Sequence, residues 1–231
     1  MIDEESFREA AKAGVPSDIL RITGQPALAA SASALEKSFR QRHNAINSGD
    51  TLNLLFISEP FAKLFGPDVR VSGHPGFTEE TVLRSVAESL KKIGRQTCLN
   101  ILPHPKQNGQ ELDNFWQTIG RDLNGRIVED TERHKVFSHC DLAIGMTSVL
   151  LYEAWLGGLP VVCFQPEYRV KSMERFKTLR GIYYADRYED IRAVMAKALE
   201  ECRSADRTPQ PECSLHKNAP ALIADILLER I

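Results

Sequence analysis

Short apolar or β-branched runs alternate along this chain with segments whose apolar residues return every three or four positions. The runs are "TLNLLFIS" (51–58), "TCLNILP" (97–103), "GRIVED" (125–130), "DLAIGM" (141–146), "LPVVCF" (159–164) and "GIYYAD" (181–186). Each has the length and composition of a strand bounded by turn residues. Between them, "TVLRSVAESLKKIG" sets Val82, Leu83, Val86, Leu90 and Ile93 on one helical face. "QELDNFWQTI", "TERHKVFSH", "SVLLYEAWLGG" and "EDIRAVMAKALEEC" read as further helices. Strands that alternate with helices across short connections form βαβ crossovers, so residues 49–202 are expected to build one α/β unit. That unit is a Rossmann-like parallel six-stranded sheet with helices on both faces.

The flanks read differently. Residues 1–48 suggest a helix over 3–14, a strand ending in a turn over 19–26 ("ILRITGQP") and a longer helix over 28–47. In 203–231, a polar, proline-punctuated connection runs to 220 and a last helix follows over 221–230. One connection inside the sheet is long. About twenty residues, Ser58 to Thr78, join the first strand to its helix, where two to six is usual. At the carboxyl end of a parallel strand such a loop is placed to meet a ligand; a surface insertion is the alternative.

Composition narrows the partners. The 231 residues are 42% hydrophobic and 26% charged with a net charge of −2, which fits a globular protein and gives neither nucleic acid nor an anionic membrane a basic face. The start, "MIDEESFREA", is acidic where a secretory signal needs basic and then apolar residues. No apolar run approaches the ~18 residues of a transmembrane segment, so the expected location is the cytoplasm. The five cysteines form no CxxC pair, and Cys98 and Cys163 fall in apolar runs as small buried hydrophobes. No HxxxH, HExxH or Asp-x-Asp pattern occurs, so no protein-bound metal is expected.

The polar residues that could carry chemistry follow the strands. Ser58 and Glu59 come after the first; His104, Pro105, Lys106 and Gln107 after the second; Glu129, Asp130 and Thr131 after the third. Gly145, Thr147 and Ser148 come after the fourth, and Gln165 and Glu167 after the fifth. An open parallel sheet binds in the crevice outside those ends, so residues distant in sequence converge there. In "GMTS" a single hydroxyl would suffice to cap a helix, a role worth ~1 kcal/mol. Two hydroxyls, a glycine that allows close approach and the positive helix end suit a phosphate, with capping alone as the alternative. In "LPHPKQ" the proline stiffens the loop, His104 can donate to the same anion, and Lys106 adds a point charge. His74, His134 and His139 lack such a setting and read as ordinary loop or helix residues. Glu153 stands among Val149, Leu150, Leu151, Tyr152, Ala154, Trp155 and Leu156, which suggest a helix buried almost all round. A lone acid there needs a partner, a proton or a ligand. Arg169 or Lys171 would be a structural partner; a ribose diol would be a functional one.

"ILPHPKQ" followed by "VFSHCDLAIGMTSVLLYEAWLGGLPVVCFQP" resembles the carboxyl-terminal, nucleotide-binding half of GT-B-fold enzymes that handle nucleotide-activated sugars. The resemblance covers nearly all of residues 14–200. In sialyltransferases and CDP-glycerol-dependent polymerases of that fold, a His-Pro motif and a downstream Ser/Thr-Ser motif hold the nucleotide phosphate; His104-Pro105 and Thr147-Ser148 match them. Glu153 matches the glutamate that grips the ribose, and Gly24-Gln25-Pro26 resembles the end of the strand leading out of the first domain. UDP-sugar 2-epimerases share the motifs, although their glycine pair is absent near "GMTS". The family's amino-terminal half, which usually binds acceptor, has no counterpart in this sequence.

The resemblance implies one half of a GT-B glycosyltransferase of surface-polysaccharide or glycoconjugate synthesis, using a CMP-, CDP- or UDP-linked donor and no metal or other cofactor. His104 would act in catalysis, sharing the leaving group's charge with Lys106, Thr147, Ser148 and the helix end. Ser58, Glu59, Pro105, Asp130, Thr131, Gly145 and Gln165 complete the expected nucleotide site, with 129–131 facing the base. A partner subunit supplying the acceptor half, or a second copy of the chain, is expected, and through it a peripheral place at the inner membrane. A sugar-nucleotide 2-epimerase and a non-catalytic binding module are the alternatives.

Overall fold

The structure, a computed structural model, describes residues 3–28, 30, 31, 33, 34, 37, 51–170, 175–202 and 210–228. Six strands, β1 (Leu52–Ile57), β2 (Thr97–Leu102), β3 (Asn124–Ile127), β4 (Leu142–Gly145), β5 (Val161–Phe164) and β6 (Tyr183–Ala185), pair in the order β3-β2-β1-β4-β5-β6. All five pairings are parallel. The central strands are mostly apolar because helices cover both faces of a parallel sheet. β4 and β5 are buried at every position, whereas the edge strand β3 is nowhere fully buried.

Alternation along β1 divides the core into two layers. Leu54 and Phe56 face the helices Glu79–Ile93, Gly109–Ile119 and Ile191–Glu201 through Val82, Leu83, Val86, Trp116, Met195 and Leu199. Leu55 and Ile57 face the helices Arg133–His139, Val149–Leu156 and Arg175–Thr178 through Phe137, Leu151, Trp155 and Phe176. The register of β1 against β4 is pinned at their amino ends. There the buried Asp141 accepts from Asn53 N through Oδ2 at 2.8 Å, and Asp141 N donates to Asn53 O at 2.6 Å.

Two expectations for the flanks change. "ILRITGQP" is not a strand: residues 20–25 have no regular structure, and 26–28 are helical. Ile19 and Leu20 instead line a shallow cavity together with Ile223, Ile226 and Leu227 of another helix. Gln25 N donates to His216 Nδ1 at 3.1 Å. At Gly24 (φ 73°) the helix comes so near that a Cβ would stand 2.8 Å from Leu215 O. The last helix is longer than its sequence suggests, running Glu212–Leu228 through Pro220. Cys213, His216 and Ala219, three apart, are buried along one face, and that packing carries the helix past the one hydrogen bond the proline removes. Most of the helix expected over 28–47 lies outside the described residues.

The long connection after β1 is an ordered wall. It contains the helix Phe61–Phe65, and Phe61 packs on Phe77 with ring centroids 5.0 Å apart. His74, read from sequence as an ordinary loop residue, is 2% exposed. Its Nδ1 accepts from Gly76 N at 3.0 Å, so in the neutral ring Nε2 carries the proton and donates to Gly66 O at 3.0 Å. The back of the helix Val149–Leu156 is held by the opposite flanks of the chain. Asp3 pairs with Arg175, whose guanidinium lies 4.1 Å from the centre of the Tyr152 ring, and Tyr152 Oη meets His216 Nε2 at 3.4 Å. No helix among the described residues is long and apolar enough to cross a membrane.

At Gly125 (φ 155°) a Cβ would stand 2.0 Å from Leu99 O in β2. Gly125→Ala is therefore expected to cost ~1–3 kcal/mol, the range for a strained backbone position. Gly109→Ala, at the first residue of its helix with nothing within 4 Å, should be neutral or raise stability by ~0.4–1 kcal/mol. Urea unfolding of both variants checks this; equal midpoints would contradict the close approach of β2 and β3.

Candidate functional site

The sheet order reverses at β1. The chain moves outward through β2 and β3, then returns to place β4 on the other side of β1. Ligands of such sheets bind where the order reverses, outside the carboxyl ends. A cavity of about 300 Å³ lies there, lined by Ser58 and Glu59 after β1, His104 and Pro105 after β2, and Thr147, Ser148, Val149 and Leu150 after β4. Six of the residues expected from sequence therefore meet in one place.

Their chemistry is not all as expected. The helix Val149–Leu156 begins with two hydroxyls, and the structure divides them. Ser148 is the N-cap, its Oγ accepting from Leu150 N at 3.3 Å. Thr147 serves Glu59: its N–H donates to Oε2 at 2.7 Å and its Oγ1 to Oε1 at 2.5 Å. The anion at this helix start is thus the protein's own carboxylate. Burial pushes the Glu59 carboxyl above its usual range, against the bonds from Thr147 and the main chain of Ser148 and Met146 that favour the ionised form. Beside it, Ser58 Oγ is buried without a hydrogen-bond partner, an arrangement that costs about 1–3 kcal/mol in a protein interior.

His104 is held in a defined state. Its Nδ1 accepts from Lys106 N at 3.1 Å, so the neutral ring carries its proton on Nε2. Its main-chain N–H donates to Gln107 Oε1 at 2.8 Å, and Gln107 Nε2 donates to Glu79 Oε1 at 3.3 Å. Glu79 is buried and takes Ala62 N on its other oxygen at 2.9 Å. Lys63 Nζ adds a bond to Lys106 O at 3.0 Å. The wall formed by 58–78 therefore fixes the His-Pro loop. Glu79 was missed from sequence because an acid in the first turn of a helix has an ordinary role there.

A second cavity of about 590 Å³ adjoins the first across His104, lined by Gln107, Gln110, Asp113, Val128 and Glu129 among others. Lys106 is exposed and lies outside both linings. Asp130 and Thr131 fall in a 3-10 turn, Asp130–Glu132, beyond Glu129, and Thr131 is exposed.

Three expected site residues have other surroundings. Gln165 is fully buried, its Nε2 donating to Met146 O at 2.8 Å and its Oε1 accepting from Tyr184 Oη at 3.0 Å. It braces the ends of β4, β5 and β6 and has no surface to offer a ligand. The space that Gly145 leaves is taken by the protein itself, for a Cβ would meet Ile57 O at 3.3 Å and Leu151 at 3.5 Å. Glu153 is only half-buried, because the helix is not enclosed all round: Val149, one turn earlier on the same side, is 58% exposed. That side, with Val149 and Leu150, is the one that lines the first cavity.

No family model matches the chain, and no curated protein matches it by sequence. Solved structures do match in fold. The UDP-GlcNAc 2-epimerase of Neisseria meningitidis, bound to UDP-GlcNAc, has a TM-score of 0.59 at 16% identity, over 98% of this chain and 59% of that one. The UDP-GlcNAc 2-epimerase of Methanocaldococcus jannaschii gives 0.61 at 13%, over 98% and 60%. The wall teichoic acid polymerase TagF gives 0.50 at 12%, over 99% and 57%. The chain thus spans somewhat under two thirds of these proteins. Its fold is Rossmann-like and corresponds to one half of a GT-B architecture.

The raised Glu59 carboxyl has a consequence for stability. At low pH it is protonated both folded and unfolded. As pH rises through 4.5, the ordinary value, the unfolded form loses its proton first, so stability falls until the folded carboxyl ionises too. Glu59→Gln lacks this component. Urea unfolding of both proteins between pH 4 and 8 should show wild type losing stability relative to the variant over that window. A difference that does not change with pH would contradict the raised value.

Proposed function

We propose that this chain binds a nucleotide sugar and serves as the donor-binding half of a metal-independent glycosyltransferase. One observation carries the reading: Ser58, His104, Thr147 and Ser148, from the ends of three neighbouring strands, meet in a single cavity where the sheet order reverses. The fold's known ligand class supports it, since the Neisseria epimerase of this fold is bound to UDP-GlcNAc. A CMP-, CDP- or UDP-linked donor would lay its phosphate against His104 and Ser148. His104 Nε2–H donates to the phosphate oxygen on which charge grows as the glycosyl bond breaks, with the positive helix end adding to the same stabilisation. Glu153, one turn along the helix on the cavity side, receives the ribose hydroxyls. The larger cavity beside Glu129 takes the base. The acceptor approaches from a facing half, a partner subunit or a second copy of the chain, which also excludes the water that would otherwise hydrolyse the donor. The destination is a surface polysaccharide or glycoconjugate, made on the cytoplasmic side.

The better superposition on the 2-epimerases than on TagF, 0.59 and 0.61 against 0.50, favours epimerisation as the second reading. Incubation with UDP-GlcNAc and no acceptor separates them: an epimerase yields a rearranged sugar, whereas a transferase half leaves the donor unchanged.

Binding is measured by thermal shift against CMP, CDP, UDP, GDP and their sugars. A ligand at a hundred times its dissociation constant should add ~2.7 kcal/mol of stability; no shift at millimolar concentration would refute the site. His104→Ala and Ser148→Ala should each weaken nucleotide binding by ~1–3 kcal/mol with the fold retained. Glu153→Gln should weaken binding of nucleotides and leave pyrophosphate unaffected. An equal loss for both would assign Glu153 a structural role.

A further inference from the structure

Glu59 sits where an anionic ligand would be expected. It takes both the N–H and the hydroxyl of Thr147 at the start of the helix Val149–Leu156. Its neighbour Ser58, whose buried hydroxyl has no hydrogen-bond partner, lines the same cavity, as does His104. A phosphate in this cavity would stand within a few ångströms of an ionised carboxylate. Two like charges that close in a protein interior repel strongly, which opposes binding of the anion. The carboxylate must therefore be neutralised before the anion is accepted.

Resting on the nucleotide reading above, we propose that Glu59 is a proton-operated gate of the phosphate site: ionised, it occupies the Thr147 donors, and on taking up one proton it yields them, so that a phosphate-bearing ligand binds together with a proton. The protonated carboxyl then turns its O–H to the orphaned Ser58 hydroxyl or to the ligand, and the Thr147 N–H and hydroxyl become available to the phosphate. Burial prepares Glu59 for the change by raising its affinity for a proton. The surrounding groups leave it as the group that responds. The Cys163 thiol of β5, pushed well up by burial and by Glu59 itself, stays protonated. On the β2 side His104 is fixed by Lys106 N. From the wall, Lys63 is engaged with the Lys106 carbonyl, and Glu79 with Ala62 and Gln107.

The test is calorimetry of CDP, UDP and pyrophosphate binding to the whole chain at fixed pH in two buffers of different ionisation enthalpy, which counts protons directly. Wild type should take up close to one proton per ligand, and its affinity should fall about tenfold per pH unit above the Glu59 titration. Glu59→Gln should take up none, bind pyrophosphate at least ten times more tightly at pH 8, and lose the pH dependence. His104→Gln should bind more weakly and still take up the proton. Binding by wild type without proton uptake would overturn the gate, and so would uptake that survives in Glu59→Gln and vanishes in His104→Gln. Those outcomes leave the nucleotide reading standing. If Glu59→Gln gains pyrophosphate binding while no nucleotide binds either protein, the gate stands and the nucleotide reading falls. If neither wild type nor Glu59→Gln binds nucleotide or pyrophosphate, both fall. Wild-type proton counting needs no variant, so a folding defect in Glu59→Gln would not remove the test.

Discussion

Everything at the site depends on β1 lying between β2 and β4. A parallel strand cannot turn back on its neighbour, so each pairing requires a crossover, and the crossovers from β1 and β4 leave in different directions. The gap between their carboxyl ends is left without a covering helix. Glu59 leaves β1 at that gap, and Thr147 leaves β4. Their two hydrogen bonds, between residues 88 apart in sequence, close the gap at its base. His104, from the strand on the other side of β1, supplies the next wall. The same topology that buries Leu54, Leu55, Phe56 and Ile57 on two sides of one strand thus creates a polar pocket at which three loops meet.

The six strands and the helices between them were legible because their signals are local. A continuous apolar run marks a doubly covered strand, and a three-to-four periodicity marks a helix with one buried side. The segment 19–26 misled because "ILRIT" has the composition of a strand, while its partner, the helix Glu212–Leu228, is almost two hundred residues away. Pro220 misled for a related reason: the residues that hold the helix through it, Cys213, His216 and Ala219, act through tertiary burial and not through local propensity.

Six of the residues expected from sequence line one cavity, but the structure gives several of the expected residues contacts that the sequence did not suggest. Nothing local says that Thr147 answers to Glu59, since that pairing exists only once β1 and β4 are side by side. Glu153 looked buried because its neighbours are apolar, yet an apolar sequence does not enclose a helix whose first turn borders a cavity. Gln165 looked available because it follows a strand, and the closeness of β4 and β6 consumes both ends of its amide. Each of these misreadings concerns a contact between elements, which periodicity cannot reveal.

The pair Asp141 and Asn53 fixes the alignment of β1 with β4 at the end of the sheet remote from the pocket. Strand alignment therefore asks little of the residues around Glu59 and Thr147. Substitutions in the loops at the carboxyl ends can change what is bound without shifting the strands beneath them. Such a division is compatible with a shared fold at the 12–16% identity seen against the epimerases and TagF. The contacts that align the strands and those that shape the candidate site thus lie at opposite ends of the same two strands.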